Sequence, residues 1–228
     1  MEKVTDRLEI LIGEEGVSRL AEAKVAVVGL GGVGGQAAEA IARCFVGRLT
    51  LIDGDLFHES NMNRQILATS STLGREKATV AAERIKEINP QAVVTSIPIF
   101  INAESLGTLD IWDSDVIVDA IDDVDAKVAL IREARARGVK IVSSMGAANR
   151  LDPTAFRVAD ISEAHTCPLA KKVRKMLVSQ GIVKGVRVVF STEKAQSFGG
   201  ALGSISFVPA AAGLALASAA IRLILDEK

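Results

Sequence analysis

Glycines crowd one short stretch of the chain, at Gly29, Gly31, Gly32, Gly34 and Gly35, directly after the apolar run Lys24–Val28. Glycine lets a backbone turn sharply and approach a ligand with no Cβ in the way. A helix opening at about Val33 turns its free N–H groups and positive dipole end onto that loop, which makes a phosphate site. Asp53, 24 residues past Gly29, ends the next apolar run where an acid meets ribose hydroxyls. These features fit a nicotinamide or flavin dinucleotide, and a tight strand-to-helix turn without a ligand would also use such glycines.

The segment after Asp53 asks for more than a pyrophosphate. It carries Asp55, His58, Asn61, Asn63, Arg64 and Gln65, and Lys77 follows 13 residues after Arg64. Cationic and amide groups at this density suit a triphosphate, where charge builds up on a leaving pyrophosphate. Arg64 would grip phosphate oxygens in a fork and Lys77 would act as a point charge. Asp122, with Asp123 beside it, then has a use as a magnesium ligand between phosphates.

The elements that must position these groups follow from the apolar pattern. Strands are expected at Lys24–Val28, Leu49–Asp53, Ala92–Ile97, Asp115–Ala120 and Val139–Ser143, with helices over Val33–Cys44, Arg75–Asn89 and Asp125–Arg137 between them. Strands alternating with helices predict an α/β fold, a doubly wound and mostly parallel Rossmann-like sheet. Ligands of such sheets lie outside the carboxyl ends of the strands. Gly29–Gly34, Asp53, Asp122 and Asp123 all fall there, and so does the loop holding Asn61 and Arg64. The polar stretch Gly54–Gly74 reads as a functional loop. A first helix is expected over Thr5–Leu20, with Leu8, Leu11 and Ile12 as its stripe. After Ser144, Phe156–Ile161 and Val186–Ser191 read as strands, Pro168–Val178 as a basic helix, and Glu193–Ser206 as a loop. This part is too short for its own core, so it extends the same sheet. The organisation expected is one domain, 1–228, with an N-terminal helix (1–23), a nucleotide-binding core (24–150) and a substrate and dimer extension (151–228).

Composition sets outer limits. The 228 residues are 49% hydrophobic with a formal net charge of -1, so any nucleic-acid contact must come from a local patch. Cys44 and Cys167 are the two cysteines and form no C-x-x-C pair, against a disulfide framework or a standard structural zinc site. The N-terminus lacks a signal peptide's apolar region, and a cytoplasmic location is expected. The run from Phe207 approaches membrane-span length. Its Ala and Gly content, Pro209, Arg222 and Asp226 favour a buried or dimer-interface helix over a membrane-associated one.

Together, G-L-G-G-V-G, L-I-D-G-D, S-N-M-N-R-Q, G-R-E-K, I-N-P and V-D-A-I-D-D resemble the ubiquitin-activating-enzyme-like adenylating superfamily of the ThiF type. The resemblance implies nucleotide contacts at Gly32, Asp53, Asn61, Arg64, Lys77 and Asp122, with the glycine loop (Gly29, Gly31, Gly34), Asp55 and Asp123 around them. It implies ATP and Mg2+, with Asp122 as the metal ligand and Arg64, Lys77 and Asp122 as the catalytic set. It also implies a homodimer in which Arg64 reaches the phosphates of the partner's ATP. The shared reaction is attack of a carboxylate on the α-phosphate, giving an acyl-adenylate.

The second half narrows the branch. S-S-M-G-A, L-D-P-T, R-V-A-D-I, C-P-L-A-K-K-V-R, V-V-F-S-T-E-K and the alanine-rich G-S-I-S-F-V-P run resemble tRNA threonylcarbamoyladenosine dehydratases. In that branch the adenylated carboxylate closes on a nitrogen of its own side chain, so no enzyme thiol is required. The alternative within the superfamily is activation of a small ubiquitin-like or sulfur-carrier protein, and outside it a dinucleotide oxidoreductase. A docked sulfur-relay protein and a monovalent cation at the 192–206 loop stay open. For tRNA, the patch is Lys171, Lys172, Arg174 and Lys175, continued by Lys184 and Arg187. Between Ala164 and Thr192 there is no acid, which suits the phosphates of an anticodon stem-loop. Cys44, Cys167, His58 and His165 are expected in core, loop or surface roles rather than in catalysis.

Overall fold

The computed structural model describes residues 4–226. Seven strands build one sheet: β1 (Lys24–Val28), β2 (Arg48–Ile52), β3 (Val93–Ile97), β4 (Val116–Asp119), β5 (Lys140–Ser144), β6 (Phe156–Asp160) and β7 (Arg187–Ser191), in the order β3-β2-β1-β4-β5-β7-β6. All neighbours run parallel except β6 and β7. The chain winds outward from β1 through β2 and β3, then returns to place β4 on the other side of β1. The reversal leaves a crevice between the carboxyl ends of β1 and β4, the position where doubly wound sheets hold ligands. The glycine loop leaves β1 there and the Ile121–Asp123 turn leaves β4.

Helices cover both faces: α1 (Asp6–Glu22), α2 (Gly34–Arg43), α3 (Lys77–Ile88) and α7 (Phe207–Ile224) on one, α4 (Ala103–Thr108), α5 (Val124–Ala136) and α6 (Pro168–Ser179) on the other. Strand alternation divides the two cores. Val25 and Val27 of β1 enter the first, Ala26 and Val28 the second. A strand buried on both faces needs a continuous apolar run, and β1 has one.

The sheet does continue past Ser144, but the last strand in sequence is not the last in space. Val188, Val189 and Phe190 of β7 are buried, so β7 takes the interior place beside β5. Arg157 and Val158 of β6 are exposed, and β6 is the edge. The expected N-terminal stripe is only partly present: Leu8 and Ile12 pack on the core, whereas Leu11 is 81% exposed. Gly13, at φ 75°, breaks the helical path of α1. The helix α4 is additional to the elements that the apolar pattern predicts, and Asn102 caps it by accepting from Glu104 N and Ser105 N, both at 2.9 Å.

The stretch Gly54–Gly74 is not structureless. Phe57, Leu67 and Ala68 are buried, a short 3-10 turn spans Glu59–Asn61, and Leu56 bridges to Glu76. Apolar anchors therefore hold a polar loop firmly over the sheet edge. The helix α7 is long and apolar enough to cross a membrane by composition, with mean hydropathy 1.8. Half of it is buried, against α2 and the sheet. Its crossing with α2 is close: a Cβ on Gly213 would stand 2.4 Å from Val33 O. Arg19 of α1 caps the end of α7, donating to Ile224 O at 2.6 Å and pairing with Asp226 at 2.6 Å.

Candidate functional site

The glycine loop is shaped by close approach. Gly29 has φ 86°, and a Cβ there would stand 2.7 Å from Ala120 O on the turn after β4. A Cβ on Gly34 would lie 1.7 Å from Gly29 O. The loop thus folds onto itself and onto β4, which only glycine permits. Gly31 differs: a Cβ there would meet only Gln65 Nε2, at 3.7 Å, so this face of the loop is open to a phosphate. Asp53 ties the loop to β2. Its Oδ2 accepts from Leu30 N at 2.6 Å and its Oδ1 from Asp55 N at 2.9 Å. Each oxygen keeps a second lone pair for a ribose hydroxyl.

Lys77 is the first residue of α3, where the helix dipole disfavours a cation. It is nevertheless 5% exposed, held by Asp55 Oδ2 at 2.6 Å. Burial opposes ionisation of Asp55, but the Lys77 ammonium overrides it and keeps the carboxyl below its ordinary range. A lysine on the first turn of a surface helix would ordinarily be solvated. This one is aimed at the sheet edge and held there by a carboxylate. His58 Nε2 stands 3.7 Å from the other oxygen of Asp55.

The S-N-M-N-R-Q residues divide into internal and available groups. Asn61 is buried and its Oδ1 accepts from His58 N at 3.1 Å, so part of its amide is committed to loop shape. The Arg64 Nη1 donates to Ser60 O at 2.7 Å and to Asn63 Oδ1 at 2.8 Å, folding the side chain onto its own loop. Gln65 is buried beside Gly31, and its Oε1 has no hydrogen-bond partner among the described residues. It belongs with the glycine loop, a placement that loop sequence alone does not reveal.

At the carboxyl end of β4, Asp122 is exposed and makes no hydrogen bond or ion pair among the described residues. No group of three or more His, Cys, Asp or Glu side chains gathers to hold a metal there or elsewhere among the described residues. A lone, free carboxylate facing a phosphate site fits a magnesium ion that takes its other ligands from phosphates and water. Asp123 does something else. Its Oδ1 accepts from Ala126 N at 2.8 Å, capping α5. Beneath the turn lies a group not foreseen as part of the site. Lys127 and Asp119, both fully buried, pair at 2.8 Å, and Ser143 Oγ donates to Asp119 at 2.5 Å. The second oxygen of Asp119 accepts from Ile121 N at 3.0 Å, which fixes the turn bearing Asp122.

The second half of the chain closes the same edge. Asn149, in a left-handed conformation (φ 61°), exchanges hydrogen bonds with Ala201 and Gly203. Glu193 accepts from Leu151 N and Asp152 N. Asn63 Nδ2 donates to Ser204 O at 3.1 Å. The 192–206 loop is thereby tied both to the segment after β5 and to the loop of Arg64.

On α6, Lys171, Lys172 and Lys175 are exposed. Arg174 is half-buried and its Nη1 donates to Ala164 O at 2.7 Å, so it also braces the preceding turn. Cys167 is buried at the start of α6, and burial pushes the half-buried Cys44 thiol up. His165 stacks edge-on against Phe190 at 5.2 Å.

Comparison with known proteins gives this geometry its family. The ThiF family model matches residues 5–228. A tRNA threonylcarbamoyladenosine dehydratase of Bacillus subtilis is 45% identical over 187 residues, which is 82% of this chain and 74% of the relative. The corresponding Escherichia coli protein is 42% identical over 190 residues, 80% of this chain and 71% of its own. The crystal structure of an Escherichia coli tRNA N6-threonylcarbamoyladenosine dehydratase in complex with ATP superposes with a TM-score of 0.90 at 36% identity, covering 99% of this chain and 98% of that one. A nicotinamide oxidoreductase, which the glycines alone allowed, gives way to these likenesses. The glycine loop, the buried Lys77 and the free Asp122 are assembled on a chain that belongs to the ThiF family.

Proposed function

We propose that this protein is an ATP-dependent tRNA threonylcarbamoyladenosine dehydratase. The observation that carries the reading is the crevice between β1 and β4. One side offers an open glycine loop with a buried ammonium beyond it, and the other a free carboxylate. ATP lies with its ribose on Asp53, its phosphates along Gly31, Gly32 and the start of α2, and its outer phosphates toward Lys77. Asp122 is the residue that would hold a magnesium ion, which would supply further charge neutralisation when bound.

The threonine carboxylate of the modified adenosine attacks the α-phosphorus. The bond to the bridging oxygen breaks, and pyrophosphate leaves carrying that electron pair. Lys77 and Arg64 stabilise the charge that builds up on it. The acyl-adenylate is then attacked by a nitrogen of the same threonylcarbamoyl group. The acyl carbon–oxygen bond breaks, AMP departs, the nitrogen loses its proton, and a ring is closed. The net change in the RNA is loss of one water. A nucleophile on the same side chain gains its advantage from proximity, so neither Cys44 nor the buried Cys167 is required.

The working unit in this reading is a cytoplasmic homodimer, with Arg64 directed at the partner's phosphates, and tRNA lies along Lys171, Lys172 and Lys175. Support for a second copy comes from Met62 and Ile66, both 46% exposed and flanking Arg64, together with exposed Leu202 and Phe207 on the segment tied to that loop through Ser204. The decisive experiment incubates modified tRNA with protein and ATP and analyses its nucleosides by mass spectrometry. Loss of one water with formation of AMP supports the reading. Unchanged threonylcarbamoyladenosine beside a pyrophosphate exchange that needs a carrier protein would replace it with carrier-protein activation.

A further inference from the structure

The two sides of the crevice are built alike. At the ends of β2 and β4 stand acids whose Oδ1 takes the backbone N–H two residues on: Asp53 accepts from Asp55 N at 2.9 Å, and Asp119 from Ile121 N at 3.0 Å. A bond of this kind mimics a backbone turn and sets its shape. Each side also has a buried lysine near the start of the next helix, Lys77 in α3 and Lys127 in α5.

The second oxygen tells the two acids apart. Asp53 is half-buried, and its Oδ2 accepts from Leu30 N and keeps a lone pair for a ribose hydroxyl. Asp119 is fully buried, and its Oδ2 accepts from Lys127 Nζ at 2.8 Å and from Ser143 Oγ at 2.5 Å. Lys127 Nζ also donates to Ser143 Oγ at 3.2 Å, so the three groups satisfy one another. Stability alone does not account for this pair. Desolvating two charges is costly, well-packed apolar residues commonly serve a core as well, and a helix start disfavours a cation. Position does account for it. Lys127 joins both ends of the turn that bears Asp122: its backbone N donates to Asp123 O at 3.1 Å, and its Nζ reaches Asp119. Between them, Ala120 N donates to Val28 O at 2.8 Å. The Asp122 side chain has no hydrogen bond or ion pair among the described residues, so its neighbours set its place.

Resting on the reading of Asp122 as the magnesium ligand of a dehydratase, we propose that Asp119 and Lys127 are positioning residues for that metal. Asp119 clamps Ile121 N and fixes the turn before a ligand arrives. Lys127 cancels the Asp119 charge and staples the ends of the turn, so that Asp122 is the carboxylate the turn offers.

The test compares two uncharged replacements of the pair in the full chain. Asp119→Ala with Lys127→Met removes the acceptor of Ile121 N, whereas Asp119→Asn with Lys127→Met keeps a carbonyl oxygen there. The readout is manganese bound in the presence of α,β-methylene-ATP, followed by electron paramagnetic resonance. We expect the Ala form to bind manganese about 10- to 100-fold more weakly, as loss of an outer-shell partner does, and the Asn form to recover most of that affinity. Equal affinities in the two folded forms overturn the proposal, because a purely structural pair would not distinguish them. A measurement on the wild type serves if the Ala form does not fold. The Ile121 amide should exchange its hydrogen as slowly in the free protein as with manganese and the analogue bound. Protection that appears only on binding overturns the proposal, since the ligand would then shape the turn. Manganese affinity that survives Asp122→Ala would instead remove the reading of Asp122 beneath it, while the amide comparison still judges the clamp.

Discussion

Asp122 and Lys77 illustrate two ways in which a side chain is kept ready for charge. Asp122 has no hydrogen-bond or ion-pair partner among the described residues, so its removal takes no such contact from the folded state. We expect Asp122→Ala to lose most adenylation activity with an unchanged melting temperature, checked by pyrophosphate exchange beside thermal denaturation. Arg64→Ala should behave alike, since among the described residues Arg64 bonds within its own loop alone. Lys77 is different. It is buried and paired with Asp55, and Lys77→Ala leaves a carboxylate without its counter-ion. That variant should lose both activity and stability. The same pair predicts a pH dependence. Asp55 titrates below its unfolded value, so its stabilising contribution is present above about pH 4 and disappears as the pH falls through the folded pKa. The melting-temperature gap between wild type and Asp55→Asn should be constant from about pH 7 to 5 and close below about 4. A gap that widens on acidification would contradict the pairing.

At the scale of elements, the glycine loop and α6 make opposite demands. The loop has no room. Gly34→Ala would drive a methyl into Gly29 O, and we expect it to abolish ATP binding and lower stability, as calorimetry and denaturation would report. A variant that binds ATP as before would mean the loop has another shape in solution. The helix α6 has an exposed face that packing does not use. Reversing Lys171, Lys172 and Lys175 to Glu should weaken tRNA binding and flatten its dependence on salt, since each phosphate contact releases counterions. Melting temperature should hold, because Val173 and Leu177 on the buried side are untouched. An unaltered salt slope would take tRNA off this helix. Arg174 is left out of that triple variant because it braces Ala164 O.

For the whole molecule, the question is whether one chain contains a full site. Arg64 is folded against its own loop among exposed apolar side chains, which suits a group completed by a second copy. Mixing Arg64→Ala with Asp122→Ala protein tests this directly. If Arg64 acts across the dimer, half the dimers are mixed and each has one intact site, so about a quarter of wild-type turnover returns. No recovery, with subunit exchange verified by mass spectrometry, would place Arg64 in its own subunit's site.

Periodicity and turn residues alone determined the alternation of strands and helices, the phosphate loop, and the positions of Asp53, Arg64, Lys77 and Asp122 along one sheet edge. These are local properties: an apolar run buries itself, and glycine admits a turn that other residues do not. Tertiary structure decided what depends on contacts between distant residues. Asp123 became a helix cap, and Arg174 became a brace. Lys77 was buried by a partner 22 residues away, and β7 was inserted inside β6. Gln65 and the Asp119–Lys127 pair gain meaning only from their surroundings. A sequence names a polar side chain, but only the packed fold says whether its hydrogen bonds are already taken.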